Sequence, residues 1–367
     1  GYMSRAAFIM DRFMRMIGLP GKAFVPMLVG FGCTVPAVYA TRTLENEDDR
    51  KLTGFLVTFM SCGARLPVYV VIGAAFFGAR SGNLIFGMYL LGIAVALLTG
   101  WALKRTVYRN KPPQPFVMEL PPYRTPHLRD VWRQTWERTS SFVRKAGTII
   151  LATSIVIWLL MAIPVGNNGA FNDVVPEDSV FGTVAEAAAP VFAPAGFGEW
   201  QASGSLITGF IAKEVVVGTM SQIYVGEAEA TEEAEPVPTF IEDLSGMVTS
   251  FGEAAVLTVQ EVVNIVPRTI NIVPGVSMAE VDFLGAAGEE DDTTALESAL
   301  TQVFTPLAAV AFTVFVLLYT PCMVTVAAMR QEFGTRFTLY QIAYTFAIAW
   351  LAAVIVYQVG TLLGWGG

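Results

Sequence analysis

The sequence predicts an all-α polytopic membrane protein. It reads as a helical bundle with two re-entrant or broken gate segments in an inverted repeat. Three observations carry that expectation. Hydrophobic residues make up 54% of the chain and charged residues only 15%, with positive mean hydropathy, which is a membrane composition. Apolar runs long enough to cross a bilayer recur along it. Several of those runs are interrupted by glycine, proline and cysteine, where a spanning helix would carry Leu or Val. Glycine frees the backbone, and proline removes a donor and ends helices. In lipid such a break survives only when buried in protein or lining a wet cavity. The chain starts at Gly1 without a basic region and cleavable apolar stretch, so a signal peptide is not expected and the start reads as the middle of a longer protein. Three cysteines, an odd number far apart, do not suggest a disulfide framework.

Residues 2–17 form an amphipathic helix, with Ser4, Arg5, Asp11, Arg12 and Arg15 on one side and Ile9, Met10, Phe13, Met16 and Ile17 on the other. That pattern suits a helix lying on the cytoplasmic membrane surface, and equally an ordinary bundle helix. Gly18-Leu19-Pro20-Gly21-Lys22 is not a phosphate loop. Its first glycine is too close, and Ala23 stands where a Ser or Thr would hold Mg²⁺. The apolar run 23–40 holds Gly30-Phe31-Gly32-Cys33-Thr34-Val35-Pro36, and a charged turn follows at 41–51. Residues 52–77 can span but are interrupted at Ser61-Cys62-Gly63-Ala64-Arg65-Leu66-Pro67. Residues 83–103 span without interruption, 104–145 carry ten Lys or Arg, and 146–163 span again. Residues 164–194 lack Lys and Arg. Residues 204–224 are a second broken segment, with Gly209, Lys213, Glu214 and Gly218. Residues 226–300 are acidic, 303–328 span with Thr320-Pro321-Cys322 inside, and 337–363 form the last span.

The positive-inside rule places residues 5–22, 104–145 and 330–336 in the cytoplasm, and 164–194 and 226–300 outside. Arg80, in a short outer turn, is one vote against. Counting crossings then leaves the Cys33 segment beginning and ending inside, and the Lys213 segment beginning and ending outside. The economical solution is two re-entrant hairpins from opposite faces, each followed by two spans of which the first holds a cysteine beside a helix breaker. Such inverted repeats belong to alternating-access carriers, with the site near the midplane. In the alternative arrangement one hairpin spans and residues 180–192 dip in. The expected organisation is a first gate repeat (1–103), a cytoplasmic loop (104–145), a spanning helix (146–163), an outer loop with the second gate (164–225), an acidic outer region (226–300) and two final spans (301–367).

Cys33, Cys62 and Cys322 each fall at a break inside an apolar segment, beside Gly30, Gly32 and Pro36, Gly63 and Pro67, and Pro321 respectively. A free cysteine is often just a small buried hydrophobe. Thiolates are also soft donors suited to late first-row metals rather than Mg²⁺ or Ca²⁺. The spacing is not that of a closed structural zinc site, and a transported ion must be able to leave. The single histidine, His127, lies in the basic loop, so sulfur, oxygen and backbone carbonyls are the available ligands. Arg65, Lys213 and Glu214 are the charges within the apolar segments, each costly if it faced lipid. Arg65 could pair with Glu214. Alternatively Glu214 is a cation ligand and Lys213 repels the ion from the empty site. The acidic runs 227–235 and 289–292 could concentrate cations at the outer mouth, or be simply a solvated loop.

Several stretches resemble the ferrous iron transport protein B (FeoB) family: Gly1-Tyr2-Met3-Ser4-Arg5-Ala6-Ala7-Phe8, Gly30-Phe31-Gly32-Cys33-Thr34-Val35-Pro36-Ala37, Ala40-Thr41-Arg42-Thr43-Leu44 and Ser61-Cys62-Gly63-Ala64-Arg65-Leu66-Pro67-Val68-Tyr69. So do Thr208-Gly209-Phe210-Ile211-Ala212-Lys213-Glu214-Val215-Val216-Val217-Gly218-Thr219 and Tyr319-Thr320-Pro321-Cys322. The likeness runs in order over nearly the whole chain and is weaker in 226–300; Thr34 stands where an Asn is usual. The resemblance implies uptake of Fe²⁺ as the transported ion across the bacterial inner membrane, through paired gate regions similar to hairpins of nucleoside transporters. Joined to the reading of the residues, this gives a path lined by Cys33, Cys62 and Cys322, with Glu214 or carbonyls nearby. The resemblance also implies an amino-terminal GTP-binding domain outside this chain, which alone would bind GTP and Mg²⁺, with small companion proteins of the FeoA and FeoC type and room for a homo-oligomer. The lipid bilayer is the expected partner and nucleic acid is not. Two rivals stand: a nucleoside-type solute transporter on the same gate fold, and a membrane metal sensor without transport. An enzyme is not expected, since the chain offers no intramembrane histidine, catalytic dyad or nucleotide loop.

Overall fold

Helices interrupted at four places, rather than a set of straight spans, make up the fold. A computed structural model of the chain describes residues 2–107, 127–165, 176–224, 256 and 290–365. Two compact units divide the chain, Gly1–Val225 with Glu297–Gly367, and Gly226–Leu296. The site belongs to the first; most of the acidic region expected at 226–300 lies outside the described residues. Among the described residues no strand forms, and one antiparallel bridge joins Pro164 to Ser179.

The first half contains α1 (Tyr2–Met16), α2 (Phe24–Gly30), α3 (Thr34–Ala40), α4 (Glu47–Val57), α5 (Leu66–Phe77) and α6 (Ser81–Thr106). Helix α1 buries Ala7 and Met14 and leaves Phe8, Ile9, Phe13 and Met16 exposed. An uncovered apolar stripe flanked by arginines is what a helix lying in the membrane interface presents. Asn46 caps α4 by accepting the Asp48 N–H at 2.9 Å, and Glu47, Asp48 and Asp49 fill its first turn, where the helix dipole favours anions. Lys104 and Arg105 occupy the last turn of α6, where cations are favoured.

Helix α7 (Leu128–Ala162) is continuous over 35 residues. At ~1.5 Å per residue it is far longer than a ~30 Å hydrocarbon core. The span expected at 146–163 is therefore its second half, and Trp132 and Trp136, stacked at 6.2 Å, sit on its amino-terminal extension.

The second half contains α8 (Val180–Phe192), α9 (Trp200–Ile211), α10 (Val215–Tyr224), α11 (Glu290–Val303), α12 (Pro306–Leu318), α13 (Met323–Phe333) and α14 (Thr335–Leu362). The sharp bend of the second half falls between α8 and α9, at 103°. That is one element ahead of the 204–224 segment in which the sequence reading put the hairpin, and it coincides with the alternative in which 180–192 dips in. Pro194 and a left-handed Gly196 (φ +86°) make the turn, and α14 braces it: Trp350 Nε1 donates to Val191 O at 2.7 Å and Gln358 Nε2 to Pro194 O at 2.9 Å.

Among the described residues four helical segments are long and apolar enough to cross a membrane: Ser81–Thr106, Leu128–Ala162, Pro306–Phe333 and Thr335–Leu362. The broken one, Pro306–Phe333, is 83% buried inside the protein, against 28%, 12% and 17% for the unbroken ones. The unbroken helices therefore present their apolar surface outward, and the broken segments form the interior. Phe192, Phe197, Phe312, Phe315 and Phe346 interlock edge-to-face around α12 and hold it there.

Candidate functional site

The four interruptions are where the candidate site residues gather. Between α2 and α3 the chain turns at Phe31, Gly32 and Cys33, whose N–H groups donate to the last carbonyls of α2: Phe31 to Leu28 O (3.2 Å), Gly32 and Cys33 to Val29 O (3.0 and 3.1 Å). Cys33 itself is extended (φ −153°, ψ 130°) and immediately precedes α3. Between α4 and α5, Cys62 is extended (φ −78°, ψ 159°) and precedes a short 3₁₀ turn, Gly63–Arg65. Between α12 and α13, Cys322 (φ −55°, ψ 157°) immediately precedes α13. Each cysteine thus holds the same local position, the residue before the following helical turn. All three are free and half-buried.

Tertiary contacts bring the breaks together. The Gly63 N–H donates to Gly32 O at 3.2 Å, a direct backbone bond between the first two. Cys33 and Cys322 both pack on a cluster formed by Val35 and Val38 of α3, Ala146 of α7, and Val324, Ala328 and Met329 of α13. Cys62, Cys322 and Glu214 lie within electrostatic reach of Cys33. The Cys322 thiol lies 3.3 Å from Thr325 Oγ1. Among the described residues no three His, Cys, Asp or Glu side chains converge on one point, so the thiols are separate donors rather than a closed cage.

The intramembrane charges are placed differently from expectation. Arg65 is buried and pairs with no carboxylate among the described residues. Its Nη1 donates to Met60 O at 2.9 Å and its Nη2 to Thr58 O at 3.2 Å. Of the two arrangements the sequence left open, the Arg65–Glu214 pair is absent among the described residues. The guanidinium instead satisfies carbonyls left open just beyond the end of α4, where the helix dipole also favours a cation. Glu214 is exposed. Lys213, 1% exposed, lies in the break between α9 and α10, with its Nζ 2.8 Å from the centroid of the Tyr319 ring.

The glycines and prolines divide into two groups. Gly30 ends α2 where that helix touches α4; a methyl group there would sit 3.2 Å from Met60 Cβ and Val57 Cγ1. Gly32, Gly63 and Pro321 lie in the breaks. Pro36 and Pro67 stand in the first turns of α3 and α5, where the missing N–H costs nothing, so they start helices rather than break them. Gly209 and Gly218, expected at the second break, lie inside α9 and α10, and the break is at Ala212, Lys213 and Glu214. Gly209 matters for close approach instead: a methyl group there would meet Val216 and the Tyr319 hydroxyl.

Two features had no local signal in the sequence. Tyr319 reads as one more apolar residue until Lys213 is seen on its ring. Near the end of α13, Glu332, whose side chain is 4% exposed, receives Arg42 from the turn after α3 and Arg50 from α4. Arg42 Nε donates to Glu332 Oε2 at 2.9 Å and Arg50 Nη2 to the same oxygen at 3.2 Å, while Tyr39 Oη donates to Gln331 Oε1 at 3.2 Å. The carboxylate raises the Arg42 pKa above its ordinary value through that hydrogen bond. These contacts clasp the two half-helices that carry Cys33 and Cys322. A separate cavity of about 360 Å³ lies beside the third break, lined by Trp158 and Ser154 of α7 and by Thr208, Ile211, Thr219 and Gln222.

Residues 85–138 match the family described as ferrous iron transport protein B C terminus, and residues 1–76 and 143–336 match the gate family described as nucleoside recognition. The chain is similar to proteins named Fe(2+) transporter FeoB. It is 38% identical over 364 residues to that of Escherichia coli (strain K12), covering 98% of this chain and 45% of that protein. The FeoB of Legionella pneumophila (strain Lens) is 37% identical over 361 residues, covering 98% and 46%. That of Staphylococcus aureus (strain COL) is 37% identical over 368 residues, covering 99% and 44%. The chain therefore spans a little under half the length of these relatives. No solved structure matches it. With the ferrous iron transport protein B C-terminal pattern set between the two parts of the gate pattern, and with FeoB relatives matched along 98% of its length, the chain belongs to the ferrous iron transport protein B family.

Proposed function

We propose that this chain forms the membrane path for Fe²⁺ in bacterial uptake across the inner membrane. In this reading the ion passes Cys33, Cys62 and Cys322 in turn, with Glu214 and break carbonyls nearby. The observation that carries it is that three half-buried thiols each stand at a helix break, within a core that the unbroken helices surround. Thiolates favour late first-row metals over Mg²⁺ and Ca²⁺, and separate donors hold an ion loosely enough to release it. Two positive charges moving inward gain ~4–5 kcal/mol per 100 mV of inside-negative potential, so each step need not be pumped. A gated path therefore suffices. A GTP-binding domain, in the same protein or a separate chain, would set the gate, and FeoA- or FeoC-type proteins would be its companions. With the basic stretches in the cytoplasm, the Arg42–Glu332 clasp closes the inner end.

The cavity beside α7 supports a second reading. Its volume and its indole and amide groups suit a nucleoside-sized solute. Reconstitution into liposomes holding an Fe²⁺ dye separates the possibilities. The proposal expects Fe²⁺ entry that uridine does not reduce. Inhibition by uridine favours the nucleoside reading, and metal binding without entry favours a sensor.

A further inference from the structure

Thr58, Thr320, Gln341 and Thr345 are buried polar residues, at most 3% exposed, in segments that are otherwise apolar. A buried hydroxyl or amide costs stability unless it is hydrogen-bonded. From α14, Gln341 Nε2 donates to Thr58 Oγ1 at 2.8 Å and to Phe55 O at 3.3 Å. The Thr58 hydroxyl donates its own proton to Phe55 O at 2.8 Å, so toward the amide it accepts. One turn along α14, Thr345 Oγ1 donates to Gln341 O at 2.9 Å. Its proton is thereby used, so at their 3.4 Å contact Thr320 is the donor and Thr345 the acceptor. A single line of hydrogen bonds thus runs from Thr320, through Thr345 and Gln341, to Thr58 and Phe55. Aromatic rings of the same turn reach the same two places. Tyr344 meets Phe55 edge-on at 5.1 Å between centroids, and Phe346 meets Phe315 at 5.8 Å. Phe315 in turn stacks on Tyr319 at 5.1 Å.

Both ends of that line are cysteine breaks. Thr58 follows the last residue of α4 and opens the break that holds Cys62. Its carbonyl and that of Met60 receive the Arg65 guanidinium, which ties residues 58–65 into one loop. Thr320 lies two residues before Cys322. The helix between them, α14, is unbroken over 28 residues. We infer, on the basis of the thiol-lined path argued above, that α14 is a strap between these two breaks. Gln341 and Thr345 are its positioning residues, and they hold the loops of Cys62 and Cys322 at the spacing at which Fe²⁺ passes from one sulfur to the other. A polar bond between two spans is ordinary glue in a membrane protein. Here one turn of a continuous helix grips two different interrupted segments, and a rigid element that is fixed to both transmits a shift of either to the other.

The test uses the whole chain in liposomes and reads the rate at which N-ethylmaleimide alkylates each cysteine, resolved by mass spectrometry of its peptide. Thr345→Val removes the contact with Thr320, at the Cys322 end. It should raise alkylation of Cys62 as well as Cys322 by roughly three- to tenfold, the ratio that loss of one interhelical bond in a membrane allows. Gln341→Leu removes the contacts at the Cys62 end and should raise Cys322 alkylation along with that of Cys62. Thr338→Val is the control. Its buried hydroxyl, one turn before Gln341, donates back to Gly334 O at 3.0 Å and to neither break, so both rates should stay as they are. Initial Fe²⁺ entry should fall in the two strap variants and not in the control. Effects that do not cross, with Thr345→Val altering Cys322 alone and Gln341→Leu Cys62 alone, overturn the strap, and so does an equal rise in Thr338→Val. Crossed alkylation with unaltered Fe²⁺ entry overturns the positioning role. If one strap variant does not fold, the other decides by the same crossing. Serine at all three cysteines tests the path separately. Fe²⁺ entry retained there refutes the path and the positioning role with it, whereas uncrossed alkylation refutes the strap alone.

Discussion

Replacing Arg65 by methionine should destabilise the protein by roughly 2–6 kcal/mol, although no ion pair is lost. The guanidinium donates to the carbonyls of Thr58 and Met60, both buried residues just past the end of α4. Removing it leaves two buried acceptors unsatisfied, at roughly 1–3 kcal/mol each. Arg65→Lys should cost about half as much, because a single ammonium on a shorter stem reaches one carbonyl and not the fork of two. Glu214→Gln should change stability by no more than about 0.5 kcal/mol, since the side chain is exposed and holds no salt bridge among the described residues. An Arg65–Glu214 pair would instead make the two substitutions comparably damaging. Thermal and denaturant unfolding in detergent, followed by tryptophan fluorescence, measures all three variants. An unaltered melting midpoint for Arg65→Met, or a Glu214→Gln loss as large as that of Arg65→Met, would refute the reasoning.

Weakening the clasp with Glu332→Gln removes the negative charge that Arg42 and Arg50 share and one of its two acceptor oxygens. Arg42 is largely exposed, so the pair with it adds only ~0.2–1 kcal/mol to stability. The larger effect should be several-fold faster labelling of Cys33 by a membrane-impermeant maleimide from the cytoplasmic side, and an unchanged labelling rate would count against an inner closure there. Gly92→Ala places a methyl group 2.7 Å from Phe59 O, where α6 crosses the end of α4, and should cost about 1–3 kcal/mol by calorimetry or denaturant titration. Ile9→Glu with Phe13→Glu puts charge on the uncovered face of α1. It should weaken binding of an isolated α1 peptide to lipid vesicles by tenfold or more, and unchanged binding would mean that this face meets protein instead.

The fold was legible in the sequence where physics is local. The unbroken apolar runs became α6, the second half of α7, and α14, because length and hydropathy alone decide a span. The cysteine breaks were legible because glycine and proline act on their own backbone. What was not legible depends on distant partners. Arg65 looked like half of an ion pair because sequence shows charges but not the open carbonyls beyond a helix end. Gly209 looked like a breaker, whereas it lets Tyr319 approach α9. Glu332 meets Arg42 from 290 residues away, and no periodicity announces such a contact. The bend at Gly196, just past the run 164–194 read as outer, matches the alternative in which 180–192 dips in, and charge counting alone could not choose between that alternative and a hairpin at 204–224.

The claim at the centre is that the ion meets sulfur at the breaks. The most direct measurement is the initial rate of Fe²⁺ entry into dye-loaded liposomes carrying either the unchanged chain or the triple variant Cys33→Ser, Cys62→Ser, Cys322→Ser. Serine keeps the size of cysteine and removes the soft donor. Loss of most of the Fe²⁺ rate, with the variant's melting midpoint retained, is the predicted result. Equal Fe²⁺ rates for the two proteins would contradict a thiol-lined path.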